Sequence, residues 1–64
     1  MEGLKIPTKR NGTFEVSQFD KDKELEFEYE DSGGNFNYDW LSVEQVKQLT
    51  KHLIAALELI GEKI

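Results

Sequence analysis

The chain has 64 residues, no cysteine and one histidine, and its 13 acidic against 8 basic residues give a formal net charge of −5. A chain of this length buries only about 60% of the surface its unfolded form exposes. With disulfides and cysteine-based metal sites excluded, a homodimer is the expected source of further stability. The charge disfavours phosphate backbones and anionic membranes and favours a basic protein partner.

No run approaches the ~18 apolar residues of a membrane span, and residues 1–10 hold no apolar signal-peptide core. The absence of cysteine fits a reducing compartment. These features predict a soluble, cytoplasmic protein without a membrane partner, folded as a single domain over residues 1–64.

Leu4 and Ile6 mark a first strand near residues 3–8, and Phe14 and Val16 a second near 13–19. A two-residue Asn11-Gly12 turn would put the two apolar sets on opposite faces. A three-residue loop, Arg10-Asn11-Gly12 with Gly12 left-handed, pairs Lys9 with Thr13 and Ile6 with Val16, and is the expected register. Phe19 is out of phase with Phe14 and Val16, which predicts a bulge or turn packing rather than a contact surface.

Residues 24–30 read Glu-Leu-Glu-Phe-Glu-Tyr-Glu, a strict alternation of carboxylate and large apolar side chain. Successive strand side chains point to opposite faces, so Leu25, Phe27 and Tyr29 enter the core and Glu24, Glu26, Glu28 and Glu30 form a ladder on the other side. Glu15 of the second strand and Asp39 of the fourth are expected to join it. A four-residue turn, Asp31-Ser32-Gly33-Gly34, leads to a fourth strand near 35–40. That loop pairs Tyr29 with Phe36, Phe27 with Tyr38 and Leu25 with Trp40, placing all these apolar residues on one face.

Ser42-Val43-Glu44-Gln45 is a capping box that opens a helix near 43–61, with Leu41 and Val46 at the staple positions. Val46, Leu49, Thr50, Leu53, Leu57 and Ile60, extended by Ile64, fall on one stripe that should lie on the sheet's apolar face. Gly61 is expected to loosen the last turn. Ala55, Ala56 and Leu59 lie off this stripe and form a candidate helix-mediated dimer contact. The fold class is therefore α+β, a four-stranded antiparallel meander with one C-terminal helix (ββββα).

Catalytic chemistry has little foothold, and no catalytic or metal-binding residue and no cofactor is assigned. His52 has no local partner for a triad or a metal site. The carboxylates lie on an open sheet, without the desolvated cleft that would split their pKa values or wrap a cation. Gly33-Gly34 has neither the helix start nor the Lys-Ser/Thr pair of a phosphate loop.

Val16-Ser17-Gln18-Phe19, the alternating third strand and the run from Leu41 to Leu49, in this order of strands and helix, resemble the transcriptional positive cofactor four type of single-stranded-DNA-binding domain over roughly residues 12–55. The resemblance implies a dimer that binds single strands over a basic, aromatic-bearing sheet. Here the outward positions of the third strand are glutamates, which repel phosphate. The phosphate and stacking candidates are then Lys9, Arg10, Phe19, Lys21 and Lys23.

The leading expectation is a non-catalytic binding module of the phage or mobile-element type, inhibitor-like or mimicking nucleic acid. Glu15, Glu24, Glu26, Glu28, Glu30 and Asp39 would meet a basic protein surface. The alternatives are a single-stranded nucleic-acid-binding domain and a structural subunit that pairs through an exposed edge at residues 35–40.

Overall fold

The computed structural model describes residues 3–64, and within them the chain forms β1 (Leu4–Pro7), β2 (Thr13–Val16), β3 (Glu24–Glu30), β4 (Phe36–Ser42) and α1 (Val43–Leu59). The strands make one antiparallel sheet in the order β1-β2-β3-β4, so β1 and β4 are its edges. The ββββα architecture agrees with the alternation and capping signals. Both outer hairpins pair differently from expectation, and for different reasons.

In the β1–β2 hairpin Ile6 pairs with Phe14 and Leu4 with Val16, a shift of two residues that keeps the apolar sets on one face. The loop is Lys9-Arg10-Asn11. Thr8 closes it by donating its N–H to the Gly12 carbonyl at 2.9 Å and accepting the Gly12 N–H on Oγ1 at 2.8 Å. Asn11, not Gly12, holds the left-handed conformation, at φ 65°, which asparagine tolerates through local hydrogen bonding. Gly12 is needed for close approach: a Cβ there would lie 2.6 Å from the Glu30 carbonyl oxygen.

Beyond Val16 the second strand ends sooner than expected. Ser17 N–H still donates to the Glu26 carbonyl, but the next bond of this kind runs from Asp20 N–H to the Glu24 carbonyl. Gln18 and Phe19 thus stand opposite the single residue Leu25, a bulge that takes Phe19 out of the strand's alternation. Phe19 instead lines a groove with Val43, Val46 and Thr50 of α1.

The β3–β4 hairpin departs from expectation by one residue, and this changes the molecule most. Glu30 pairs with Phe36, Glu28 with Tyr38, Glu26 with Trp40 and Leu25 with Leu41. Asp31 sets this register by drawing Asn35 into the turn. Its Oδ1 accepts the Gly33 and Asn35 N–H groups, each at 2.9 Å, its Oδ2 accepts Asn35 Nδ2 at 3.0 Å, and its own N–H donates to the Asn35 carbonyl. Ser32-Gly33-Gly34 is left as the loop, with Gly34 at φ 88°.

A one-residue slip exchanges the faces of a strand. Phe36, Tyr38 and Trp40 therefore lie on the glutamate face, while Asn37 and Asp39 turn to the face of Tyr29 and Phe27. Leu41 gains a place opposite Leu25 on the helix side.

The helix starts directly from β4. Ser42 Oγ accepts the Gln45 N–H at 3.2 Å and Gln45 Oε1 accepts the Ser42 N–H at 2.9 Å, completing the capping box. The helix ends at Leu59, two residues before the expected limit. Glu62 N–H donates to the Leu57 carbonyl and Gly61 N–H to that of Glu58, with Gly61 at φ 79°. This is a Schellman closure, so Gly61 terminates the helix rather than loosening it, and Ile64 lies beyond the stripe.

Val46 and Leu49 face Leu25 across the interface, where α1 approaches β4 and β3. Leu25, 8% exposed, is the one buried hydrophobic side chain among the described residues. The rest of the apolar layer is open on the β1–β2 side.

Candidate functional site

The face of the sheet turned away from α1 is built row by row from the strand register. Lys5, Glu15, Glu28 and Tyr38 make one row across all the strands, Thr13, Glu30 and Phe36 a second, and Glu26 with Trp40 a third. Glu24, paired with Ser42, extends the face toward the helix start. Glu15, Glu24, Glu26, Glu28 and Glu30 thus share one face, as alternation requires. Asp39 does not: it pairs with Phe27, lies on the opposite face, and accepts the Trp40 N–H at 2.8 Å.

Sequence reasoning placed the β4 aromatics in the core and so missed their position here. Phe36, Tyr38 and Trp40 form a continuous column, with ring centroids 5.8 Å apart for the first pair and 5.3 Å for the edge-to-face second pair. All three are largely exposed. Each stands directly across from a carboxylate, Phe36 from Glu30, Tyr38 from Glu28 and Trp40 from Glu26. The signal that could have revealed this is Asp31 with Asn35 four residues on, whose side chains can close the turn on one another.

The electrostatics of this face are one-sided. Glu15 is directly opposite Glu28, a like-charge pair that disfavours the sheet. Lys5, across from Glu15, is the only cation in these rows. Among the described residues the one ion pair is elsewhere, Lys47 with Glu44 on α1 at 3.7 Å. A depression of about 90 Å³ on this face lies among Lys5, Thr13, Glu15, Glu28, Glu30 and Phe36. Among the described residues no three His, Cys, Asp or Glu side chains are grouped to hold a metal ion.

The alternative nucleic-acid candidates do not form one surface. Lys9 and Arg10 are in the β1–β2 turn, beside the Glu30 end of β3, whereas Phe19, Lys21 and Lys23 are in the β2–β3 loop at the other end. A strand of seven residues, about 20 Å, separates the two groups. Phe19 does lie near two cations absent from the expectation, since Lys47 and Lys51 line its groove. On the helix, Ala55, Ala56 and Leu59 are exposed, Leu59 to 88%.

No helix among the described residues is long and apolar enough to cross a membrane. No family model matches the chain, and no curated protein or solved structure matches it.

Proposed function

We propose that this domain is a non-catalytic binding module, acting as a homodimer, whose carboxylate-and-aromatic sheet face engages a basic protein surface. The observation that supports the reading is the β3–β4 register, which pairs each exposed ring of β4 with a glutamate of β3. A lysine or arginine side chain reaching this face finds a carboxylate for its charged head and an aromatic surface for its stem or guanidinium plane. Glu15 adds negative charge at the centre, opposite Glu28. The cost of like charges side by side is relieved when a polycation binds, so the arrangement favours the bound state.

The partner this face suits is a protein with a basic, nucleic-acid-binding groove, which the domain would occupy as an inhibitor. The test is competition: labelled DNA bound to a basic partner is titrated with the protein, and with its Glu26→Lys/Glu28→Lys variant. Release of DNA by the parent protein and at least a tenfold weaker effect of the variant are expected. Equal displacement by both would show that this face does not bind the partner.

One observation favours a second reading. Phe19, Lys47 and Lys51 line one groove of about 400 Å³, and Lys21 and Lys23 belong to the same loop as Phe19. A single strand could stack a base on Phe19 and set phosphates on these lysines. Salt-sensitive binding of a labelled oligonucleotide, abolished by Phe19→Ala with Lys21→Ala, would favour this reading. A third reading, a structural subunit, draws on the exposed edge of β4.

A further inference from the structure

We infer that the open apolar face between the sheet and α1 is the dimer surface, closed in solution by the same face of a second copy of this chain. The inference rests on the homodimer of the proposed function, adds its geometry, and replaces the expected contact at Ala55, Ala56 and Leu59.

Surface area carries the argument. The chain exposes 5714 Å², where a folded monomer of this size exposes about 4,200 Å², an excess on the order of 1,500 Å². Its radius of gyration is 13.3 Å, against about 11 Å for a compact domain of the same length. Obligate homodimers bury upward of about 1,000 Å² on each partner. The unburied excess is thus the amount that one such interface removes.

Part of this exposed apolar surface lines one cleft. A cleft of about 410 Å³ runs between Leu4, Ile6 and Phe14 on the sheet and Leu49 and Leu53 on the helix, and no charged side chain lines it. Leu4, Ile6 and Leu53 are 58%, 43% and 53% exposed. Asn37 and Asp39, on the same face of β4, give it a polar margin, the usual form of an interface with an apolar centre. A basic partner would find no carboxylate inside this cleft, whereas a second copy offers an equally uncharged face. Pairing these faces about a two-fold axis buries both at once. It also leaves the glutamate faces of both copies pointing outward, which keeps two chains of net charge −5 from opposing their carboxylates.

The test is the mass of the full chain by sedimentation equilibrium at micromolar concentration, compared among the parent protein, Leu53→Glu, Ile6→Glu and Leu59→Glu, with circular dichroism as the folding check. The expected result is twice the chain mass for the parent and Leu59→Glu, and the single-chain mass for a folded Leu53→Glu or Ile6→Glu. A monomeric parent overturns the inference, as does a dimer that survives both cleft variants or is lost only in Leu59→Glu. Should the cleft variants unfold, a soluble paramagnetic probe on the parent protein decides. Protection of the Leu4, Ile6 and Leu53 methyl groups with broadening of Leu59 supports the cleft, and broadening of all four overturns it. Binding of a basic peptide by the cleft variants is read separately, so failure of the dimer and failure of the outer face are distinguishable.

Discussion

Asp31 shows how one polar side chain can outweigh several apolar ones. Its carboxyl lies below its ordinary pKa of 3.8, chiefly through the Asn35 side-chain hydrogen bond, then through the backbone bonds from Asn35, Gly33 and Gly34. A pKa lowered by folding stabilises the fold above the unfolded value, and that contribution is lost as pH falls through the lower folded value. Asp31→Asn should therefore be less stable than the parent at neutral pH. The gap between their urea midpoints should close below about pH 4, and a gap independent of pH would separate the turn's stability from this charge. The neighbouring hairpin depends on Gly12, where a Cβ would meet the Glu30 carbonyl at 2.6 Å and the Tyr29 ring at 3.1 Å. Gly12→Ala should cost about 1–3 kcal/mol in urea unfolding. The Asn11-Gly12 turn signal was legible, but it does not say which residue takes the positive φ. Thr8 Oγ1 does, by holding the Gly12 N–H.

The elements themselves were largely legible. Strict alternation fixed β3 at Glu24–Glu30, and the capping box fixed the helix start at Val43. Ser42→Ala should cost about 1 kcal/mol in urea unfolding and lower the helical signal. Pairing was less legible, because period-2 patterning gives the faces of each strand but not the partner opposite each residue. Aromatic pairs across β3 and β4 favour one register by a fraction of a kcal/mol to about 1 kcal/mol each. The hydrogen bonds of the Asp31–Asn35 turn, with Leu41 seated opposite Leu25, favour the other. In this cysteine-free chain an engineered pair reports the outcome. Glu28→Cys with Tyr38→Cys should oxidise readily to an intramolecular disulfide, and Glu28→Cys with Asn37→Cys should not, as cross-strand partners lie within disulfide reach and opposite faces do not.

The whole molecule is a thin two-sided object, 33 × 32 × 19 Å. One side holds an apolar cleft open to solvent, and the other presents carboxylates beside rings. The length of the chain pointed to a shortage of core, and the alternation of β3 placed Glu24, Glu26, Glu28 and Glu30 on one face. Neither could foretell that β4 would give its aromatics to the ladder and deprive the helix side of them, because that division follows from a turn and not from a pattern of hydrophobicity. Trp40, the only tryptophan of the chain, therefore stands across from Glu26 on the proposed partner face. Its indole is a built-in fluorescent reporter of binding at this face. The measurement is Trp40 emission during titration with an arginine-rich peptide at low and near-physiological salt, in the parent protein and in Glu26→Lys/Glu28→Lys. A saturable change that weakens with salt and is lost in the variant is the predicted result. Unchanged emission at low salt, or an equal change in the variant, would contradict the assignment of this face to a basic partner.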